Sequence, residues 1–374
     1  MKTKELLVGV DEFTLILQPR ARTDAMKWLN TIEAMLRQFL QLSRAETIFG
    51  VLQPVTAKLV QGYSEGLSAV NQPFYFIICW HEFHQNTGIA IRFSAHAWAY
   101  FQAEYEAKHQ EAMNIARFLQ MVRSDCTYTM RLSRIDFTVD YKNYGLCIDR
   151  IYQDLKKRRL HIVDWKRARQ TLKMSALEKE GIAETIYLGS RRENTQAFLR
   201  IYDKRSEQIA RHGFRLDEAE GTGDWVRFET VFKGKYAHQI TARLLADVSD
   251  PNELQRFIAQ MVTDRHMFFD AVKNDVTGFT DELLEIAQGS SFDHLRSESL
   301  RNNSLRQSIR YLVTNAGLMP VVYKIQCLYG DEGVRRFWRY LQGRYQQYEP
   351  NRDTEAWVRK HRKTMSGQSL DDSL

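Results

Sequence analysis

The sequence predicts an α+β fold: a largely antiparallel, twisted sheet with helices packed against it, then a helical C-terminal region. Three observations predict it. Short runs of alternating apolar and polar residues recur between Leu6 and Phe232. Turns bearing Gly, Asn and Pro bound them. From Ala237 onward the apolar spacing becomes helical.

In chain order, Leu6–Leu17 reads as a strand with Asp11 embedded in it. Thr23–Leu42 reads as an amphipathic helix, since Trp28, Ile32, Met35, Leu36 and Phe39 share one face. Strands are expected at Ala57–Tyr63, Phe74–His81 and Gly88–Ser94, then a helix over His96–Val122 and a strand over Met130–Tyr141. Both GVDEFTLIL and RIDFTVDY place an aspartate after a β-branched residue and sit in a similar order of elements. This suggests a duplicated βαβββ-like unit. A helix at Leu146–Lys157 precedes a β-hairpin over Thr185–Glu207 and a strand at Trp225–Phe232. Helices follow from Ala237 to Lys363. The tail 366–374 is small and polar and expected to be disordered. The shift from sheet to helix sets the expected organisation: an α+β region over 1–245, with a pseudo-duplication at 6–125 and 126–245, and a helical region over 246–365.

Composition narrows the class. The 374 residues are 44% hydrophobic and 26% charged, as in ordinary globular chains. The apolar run Phe74–Trp80 is too short to span a bilayer, and Glu5, Asp11 and Glu12 interrupt the N-terminal segment. No membrane association and a cytoplasmic location are expected. The four scattered cysteines form no C-x-x-C and read as buried free thiols. Charge is uneven: residues 142–211 carry an excess of eight positive charges, 212–300 seven negative, and 301–374 six positive. Two basic regions suggest polyanion binding, the alternative being a solvated surface. Neither a Walker A pattern nor G-x-G-x-x-G occurs, so no use of ATP is visible. His81-Glu-Phe-His84 is one residue short of the zinc-protease spacing and reads as polar residues at a strand end.

Chemistry concentrates in the hairpin. Along Phe198–Lys204, Arg200, Tyr202 and Lys204 fall on one face. A tyrosine between two cations suits a nucleophile for a phosphodiester: the cations hold the phosphate and favour the phenolate. Glu207 is placed to orient Lys204 or an arginine. Arg191 and Arg192, in the hairpin loop, are candidate DNA contacts.

Acidic residues add a second constellation. Arg134, Asp136, Thr138 and Asp140 share a strand face, where paired carboxylates are costly if buried. A hard cation, Mg²⁺ or Mn²⁺, would account for them, with Glu229 as a further ligand if its strand lies alongside. Residues four apart on a strand are separated by about 13 Å, so both aspartates reach one ion only across a bend or through water. The alternative is pairing with arginines: Arg134 for Asp136, and a cross-strand Arg–Glu pair in place of metal ligation by Glu229, whose strand face also carries Arg227. In the C-terminal region Arg335, Arg336, Arg339, Arg359 and Lys360 are further candidate DNA contacts, interleaved with Phe337 and Trp338. The alternative is that the aromatics are core and the arginines solvated.

The blocks RIDFTVD, TIYLGSR, RIYDKRSE and WVRFE, with IRYLVTNAGLMPVVYKIQCLYGDEG further on, resemble the replication initiation factor family. This family comprises rolling-circle plasmid initiators and related relaxases of conjugative elements. The resemblance runs over roughly residues 8–345. It implies a metal-dependent nickase and strand transferase in region 1–245, with Tyr202 as nucleophile, Arg200 and Lys204 beside the phosphate, and Asp136, Asp140 and Glu229 at the acidic positions. A 5′-phosphotyrosine would form and a 3′-OH would prime synthesis. Implied partners are single-stranded or hairpin-extruded origin DNA, a host helicase and a second copy of the chain. The alternatives are a conjugative relaxase and a catalytically inactive DNA-binding protein of the same fold.

Overall fold

The computed structural model describes residues 2–20, 27–55, 59–69, 72–192, 195–248, 250–289, 292, 294–295, 305–314, 317–350 and 352–365. They divide into two compact units, Met1–Leu295 and Arg296–Leu374.

The first unit is built on one ten-stranded sheet. Its first half comprises β1 (Glu5–Pro19), α1 (Trp28–Ser43), α2 (Ala45–Phe49), β2 (Gln53–Val55), β3 (Glu65–Ser68), β4 (Phe76–Trp80), β5 (Ile89–Phe93), α3 (Ala95–His109) and α4 (Ile115–Met121). The second half comprises β6 (Tyr128–Lys142), α5 (Ile148–Lys156), β7 (Leu160–Val163), β8 (Met174–Lys179), β9 (Ile182–Leu188), β10 (Ala197–Asp203), α6 (Lys204–Arg211), α7 (Leu216–Gly221), β11 (Trp225–Lys233) and α8 (Gly234–Ala246). The unit closes with α9 (Pro251–Thr263), β12 (Met267–Asp270), β13 (Asp275–Val276) and α10 (Gly278–Ala287).

The long strands β1 and β6 lie side by side, antiparallel, at the centre. Outward from them the order is β1-β5-β4-β3-β2 on one side and β6-β11-β10-β9-β8 on the other. Each half thus repeats a long strand, a helix and a four-strand meander, one strand more than the expected βαβββ unit. Between its helix and its meander the second half inserts β7, which pairs with β12 in a separate small sheet.

Alternation gives the sheet two chemically different faces. Phe13, Leu15, Phe137, Val139, Leu199, Ile201, Phe228 and Phe232 enter the main core. There Phe13, Phe93, Trp98, Phe101 and Phe118 interlock with ring centroids 4.7–5.8 Å apart, spacing that favours edge-to-face and offset contacts. The intervening residues Asp136, Asp140, Arg200, Tyr202, Arg227 and Glu229 point to the opposite face.

Several sequence expectations change. No strand forms at Ala57–Tyr63: residues 59–63 are loop and turn, 57–58 lie outside the described residues, and β2 and β3 flank them. The helix expected over His96–Val122 is two, because Gln110 turns left-handed (φ +56°) and Asn114 caps a new start by accepting from the Arg117 N–H. The stretch after Ala246 is not wholly helical, since Met267–Asp270 is a strand. The expected boundary at 245/246 falls inside the first compact unit, whose core includes Phe257, Ile258 and Met261 of α9. Of the four cysteines Cys79 is buried, but Cys126, Cys147 and Cys327 are exposed.

The second unit holds α11 (Leu305–Thr314), α12 (Leu318–Gln346) and α13 (Arg352–Met365). Gly330 interrupts α12 with φ +63° and ψ −164°, a conformation glycine adopts without steric cost. The tail 366–374 lies outside the described residues.

Candidate active site

β10 and β11 pair so that Arg200 faces Glu229 and Tyr202 faces Arg227. β11 and β6 pair so that Glu229 faces Thr138 and Arg227 faces Asp140. Three adjacent strands therefore carry Arg200, Tyr202, Asp136, Asp140, Arg227 and Glu229 on one face. β1 adds two more that the sequence reading left without a role. Its register slips between Val10 and Phe13. A bulge of this kind re-aims side chains, and it brings both Asp11 and Glu12 to the polar network.

β10 ends at Asp203, whose carboxylate accepts from the Ser206 N–H and starts α6. Lys204 is therefore the first helical residue, not the last of the strand; the Asp three residues before a serine was the signal that marked this cap. Lys204 is still buried, and its Nζ lies 2.6 Å from Glu207 Oε2 and 5.7 Å from the Tyr202 ring centroid. At the other end of the hairpin Gly189 (φ +106°) packs tightly on β10: a Cβ there would meet Phe198 at 3.1 Å. That approach requires glycine in the YLGS run.

Each acidic candidate has an arginine. Asp136 takes two hydrogen bonds from Arg134, at 2.8 and 2.6 Å. Asp140 takes two from Arg227, at 2.6 and 2.7 Å, and Arg227 also reaches Asp11 at 2.7 Å. Glu229 takes two from Arg200, at 2.7 and 2.6 Å. Glu12 joins Arg134 at 3.1 Å and Arg92 at 2.7 Å. Register sets the partners: Glu229 makes the cross-strand Arg–Glu pair with Arg200 opposite it, and Arg227 pairs with Asp140 opposite it and with Asp11. The Arg134–Asp136 and Arg227–Asp140 pairs are forked, two nitrogens to two oxygens, whereas Arg200 reaches both Glu229 oxygens through Nη2; such pairing satisfies charges that would be costly alone.

The donor chemistry suits a hard cation, but the arrangement does not fit one. Both oxygens of Asp136, Asp140 and Glu229 are engaged by guanidinium groups. Among the described residues no three His, Cys, Asp or Glu side chains stand together as a metal site.

Tyr202 is buried, 7% exposed, and donates its hydroxyl hydrogen to Glu229 Oε2 at 3.2 Å. Arg200 sits over its ring, 4.6 Å from the centroid. The phenol is pushed well above its ordinary value by burial and then by the Glu229 carboxylate, while Arg227 and Arg200 pull the other way and are outweighed. The expectation that the flanking cations favour the phenolate is corrected here: the dry environment and the adjacent carboxylate dominate. Burial also raises Glu229, and it raises Asp136 to about 7 against the pull of Arg134. Burial would raise Asp140 too, but Arg227 holds it below the ordinary range. Lys204 is lowered by burial and by Arg227.

An open pocket of about 780 Å³ reaches Arg200 and Tyr202 and is also lined by Tyr187, Ser206, Glu207 and Arg211, among others. A second, of about 480 Å³, opens on Asp11, Asp140, Phe214, Arg215 and Arg227. Arg191 lies 4.3 Å from the Tyr187 ring centroid, and Arg192 is exposed on the same loop. In the second unit Arg335, Arg336 and Arg339 converge on Glu332 at 3.7, 3.3 and 3.0 Å and are exposed, as is Arg359. Trp338 is 44% exposed, so it is not core. The Lys360 side chain lies outside the described residues.

Comparison with known proteins bears on this constellation. Residues 130–280, which contain β6, β10 and β11, match the family model described as replication initiation factor. The resemblance read from the sequence is borne out. A solved structure titled as the rolling circle replication initiator protein from Geobacillus stearothermophilus matches with a TM-score of 0.50 and 13% identity, covering 78% of this chain and 100% of that one. At that identity the likeness speaks for the fold, and the α+β architecture is shared with an initiator. No curated protein matches the chain. No helix among the described residues is long and apolar enough to cross a membrane.

Proposed function

We propose that this protein starts rolling-circle replication by nicking origin DNA with Tyr202. The observation that carries the reading is the Tyr202 hydroxyl on Glu229, with Arg200 and Lys204 beside the Tyr202 ring and with Tyr202 and Arg200 lining an open pocket. In the proposed step the phenol oxygen attacks the scissile phosphorus and its proton passes to Glu229. The P–O3′ bond breaks, and the departing 3′ oxygen takes a proton from Lys204, whose burial makes its ammonium more acidic. A 5′-phosphotyrosine and a free 3′-OH result. Glu229 suits the first transfer because its raised affinity for protons narrows the gap to the phenol. Arg200, released from Glu229 as that carboxyl is neutralised, offsets charge on the phosphoryl oxygens. The covalent linkage keeps the bond energy, so rejoining needs no nucleotide.

Dependence on Mg²⁺ or Mn²⁺ is proposed on the family resemblance alone, and no step above runs through the ion. Origin DNA, a host helicase and a second copy of the chain are proposed partners on the same ground. A binding-only reading draws on one observation, the burial of Tyr202 with its phenol held protonated. Supercoiled DNA carrying the element's own origin separates the two. The nickase reading expects relaxation by the wild type and none by Tyr202→Phe; loss on chelation with EDTA is what the separate proposal of metal dependence expects. Equal behaviour of wild type and Tyr202→Phe contradicts it.

A further inference from the structure

We infer that Tyr187, backed by Arg191, is a stacking platform for an unpaired nucleobase next to the scissile phosphate. The inference rests on the nickase reading and names how the same pocket holds its substrate. Tyr187 lies on β9 directly opposite Arg200, and Thr185 lies opposite Tyr202. Tyr187 and Tyr202 are therefore diagonal neighbours on one face of adjacent strands, a relation that sets them about 7–8 Å apart along the backbone. Both line the 780 Å³ pocket.

The two tyrosines differ in what surrounds them. Tyr202 is buried, with its hydroxyl tied to Glu229. Tyr187 is half-exposed, and its ring is backed by the Arg191 guanidinium at 4.3 Å. A ring with a cation on one side and open pocket on the other is the arrangement that holds single-stranded bases. The spacing suits this use. With a phosphate at the Tyr202 hydroxyl, the base of an adjoining nucleotide falls within reach of a ring one diagonal away. Arg200 lies between them, over the Tyr202 ring and across from Tyr187, where it meets the connecting backbone. The platform recognises a π-face, so it holds the strand extruded from pairing and selects little among bases.

The test places 2-aminopurine at each position flanking the nick in a single-stranded origin oligonucleotide. Its fluorescence is read on binding to wild type, Tyr187→Phe, Tyr187→Leu and Arg191→Ala, and adduct formation at Tyr202 is measured in parallel. One flanking position should be quenched by wild type and by Tyr187→Phe. Quenching should be lost with Tyr187→Leu and weakened with Arg191→Ala, with affinity falling about 10–100-fold for Tyr187→Leu. Arg191→Ala alters only an exposed loop side chain, so it keeps the test valid if Tyr187→Leu fails to fold. Adduct at Tyr202 with quenching indifferent to both substitutions overturns the platform and leaves the nickase reading standing. Absence of the wild-type adduct overturns the nickase reading; quenching that then still depends on Tyr187 supports the platform on its own.

Discussion

The two halves of the central sheet share one topology and differ in what they bury on the polar face. Aligning Phe13-Thr14 of β1 with Phe137-Thr138 of β6 sets Ile16, Ile77, Cys79 and Ala90 in the first half against Asp140, Arg200, Tyr202 and Arg227 in the second. The first four form a small apolar cluster of their own. The second four are the heart of the candidate active site. The same backbone thus carries a dry packing cluster on one side and a buried ionic network on the other. Only the seam is charged in both: Glu12 and Arg92 stand where Asp136 and Glu229 stand, and Glu12 crosses the seam to Arg134. The charges are therefore not needed to close this sheet, since its twin closes with isoleucine, cysteine and alanine. On the proposed function, the second half's cost in desolvation goes to its chemistry.

Substitution at matching places should expose that contrast most strongly at the nucleophile. Tyr202→Phe should remove covalent adduct formation altogether while leaving origin binding intact, whereas Cys79→Ala in the apolar twin should leave adduct formation unchanged. An adduct assay and a gel-shift assay run together check both. Next, Glu229→Gln should slow adduct formation by roughly 10²–10⁴-fold, the usual contribution of a positioned base. The pH profile has a definite sign. Glu229 works ionised and its affinity for protons is raised by burial, so the wild-type rate should fall as pH drops through a value above the ordinary glutamate range. That limb should be absent in the Gln variant.

Stability should separate the halves more gently. Arg227→Met leaves buried Asp140 with Arg215 at 3.6 Å and removes the arginine from Asp11, and should cost about 3–5 kcal/mol in urea unfolding, while Cys79→Ala should cost about 1 kcal/mol. Similar losses at both positions would contradict the contrast between the halves. A weaker effect is expected in the second unit. Replacing Arg335, Arg336 and Arg339 one at a time should weaken origin binding modestly and reduce the salt slope by about one each, if each meets a phosphate.

Much of this was legible in the sequence because alternation is a local signal. The Arg200–Tyr202 face and the Arg134–Asp140 face follow from period two alone. The apolar twin was legible too: Phe74–Trp80 is apolar at every position, as a strand buried on both faces must be. Partner choice was not legible. A cross-strand Arg–Glu pair was legible as a type, but which arginine Glu229 takes, and that Arg227 goes to Asp140, are set by register. Asp11 and Glu12 joined the site through a bulge, which a run of alternating residues does not announce. The phenol's direction of shift was missed for a related reason. Flanking cations are visible in sequence, whereas burial and the facing carboxylate belong to the fold.

Covalent capture on single-stranded origin DNA, followed by mapping of the modified residue by mass spectrometry, would decide whether Tyr202 is the nucleophile. The expected product is one oligonucleotide joined through its 5′ phosphate to Tyr202, formed at a rate that falls on substitution of Glu229. An adduct on any other residue, or none on a verified origin with Mg²⁺ or Mn²⁺ present, would contradict that assignment.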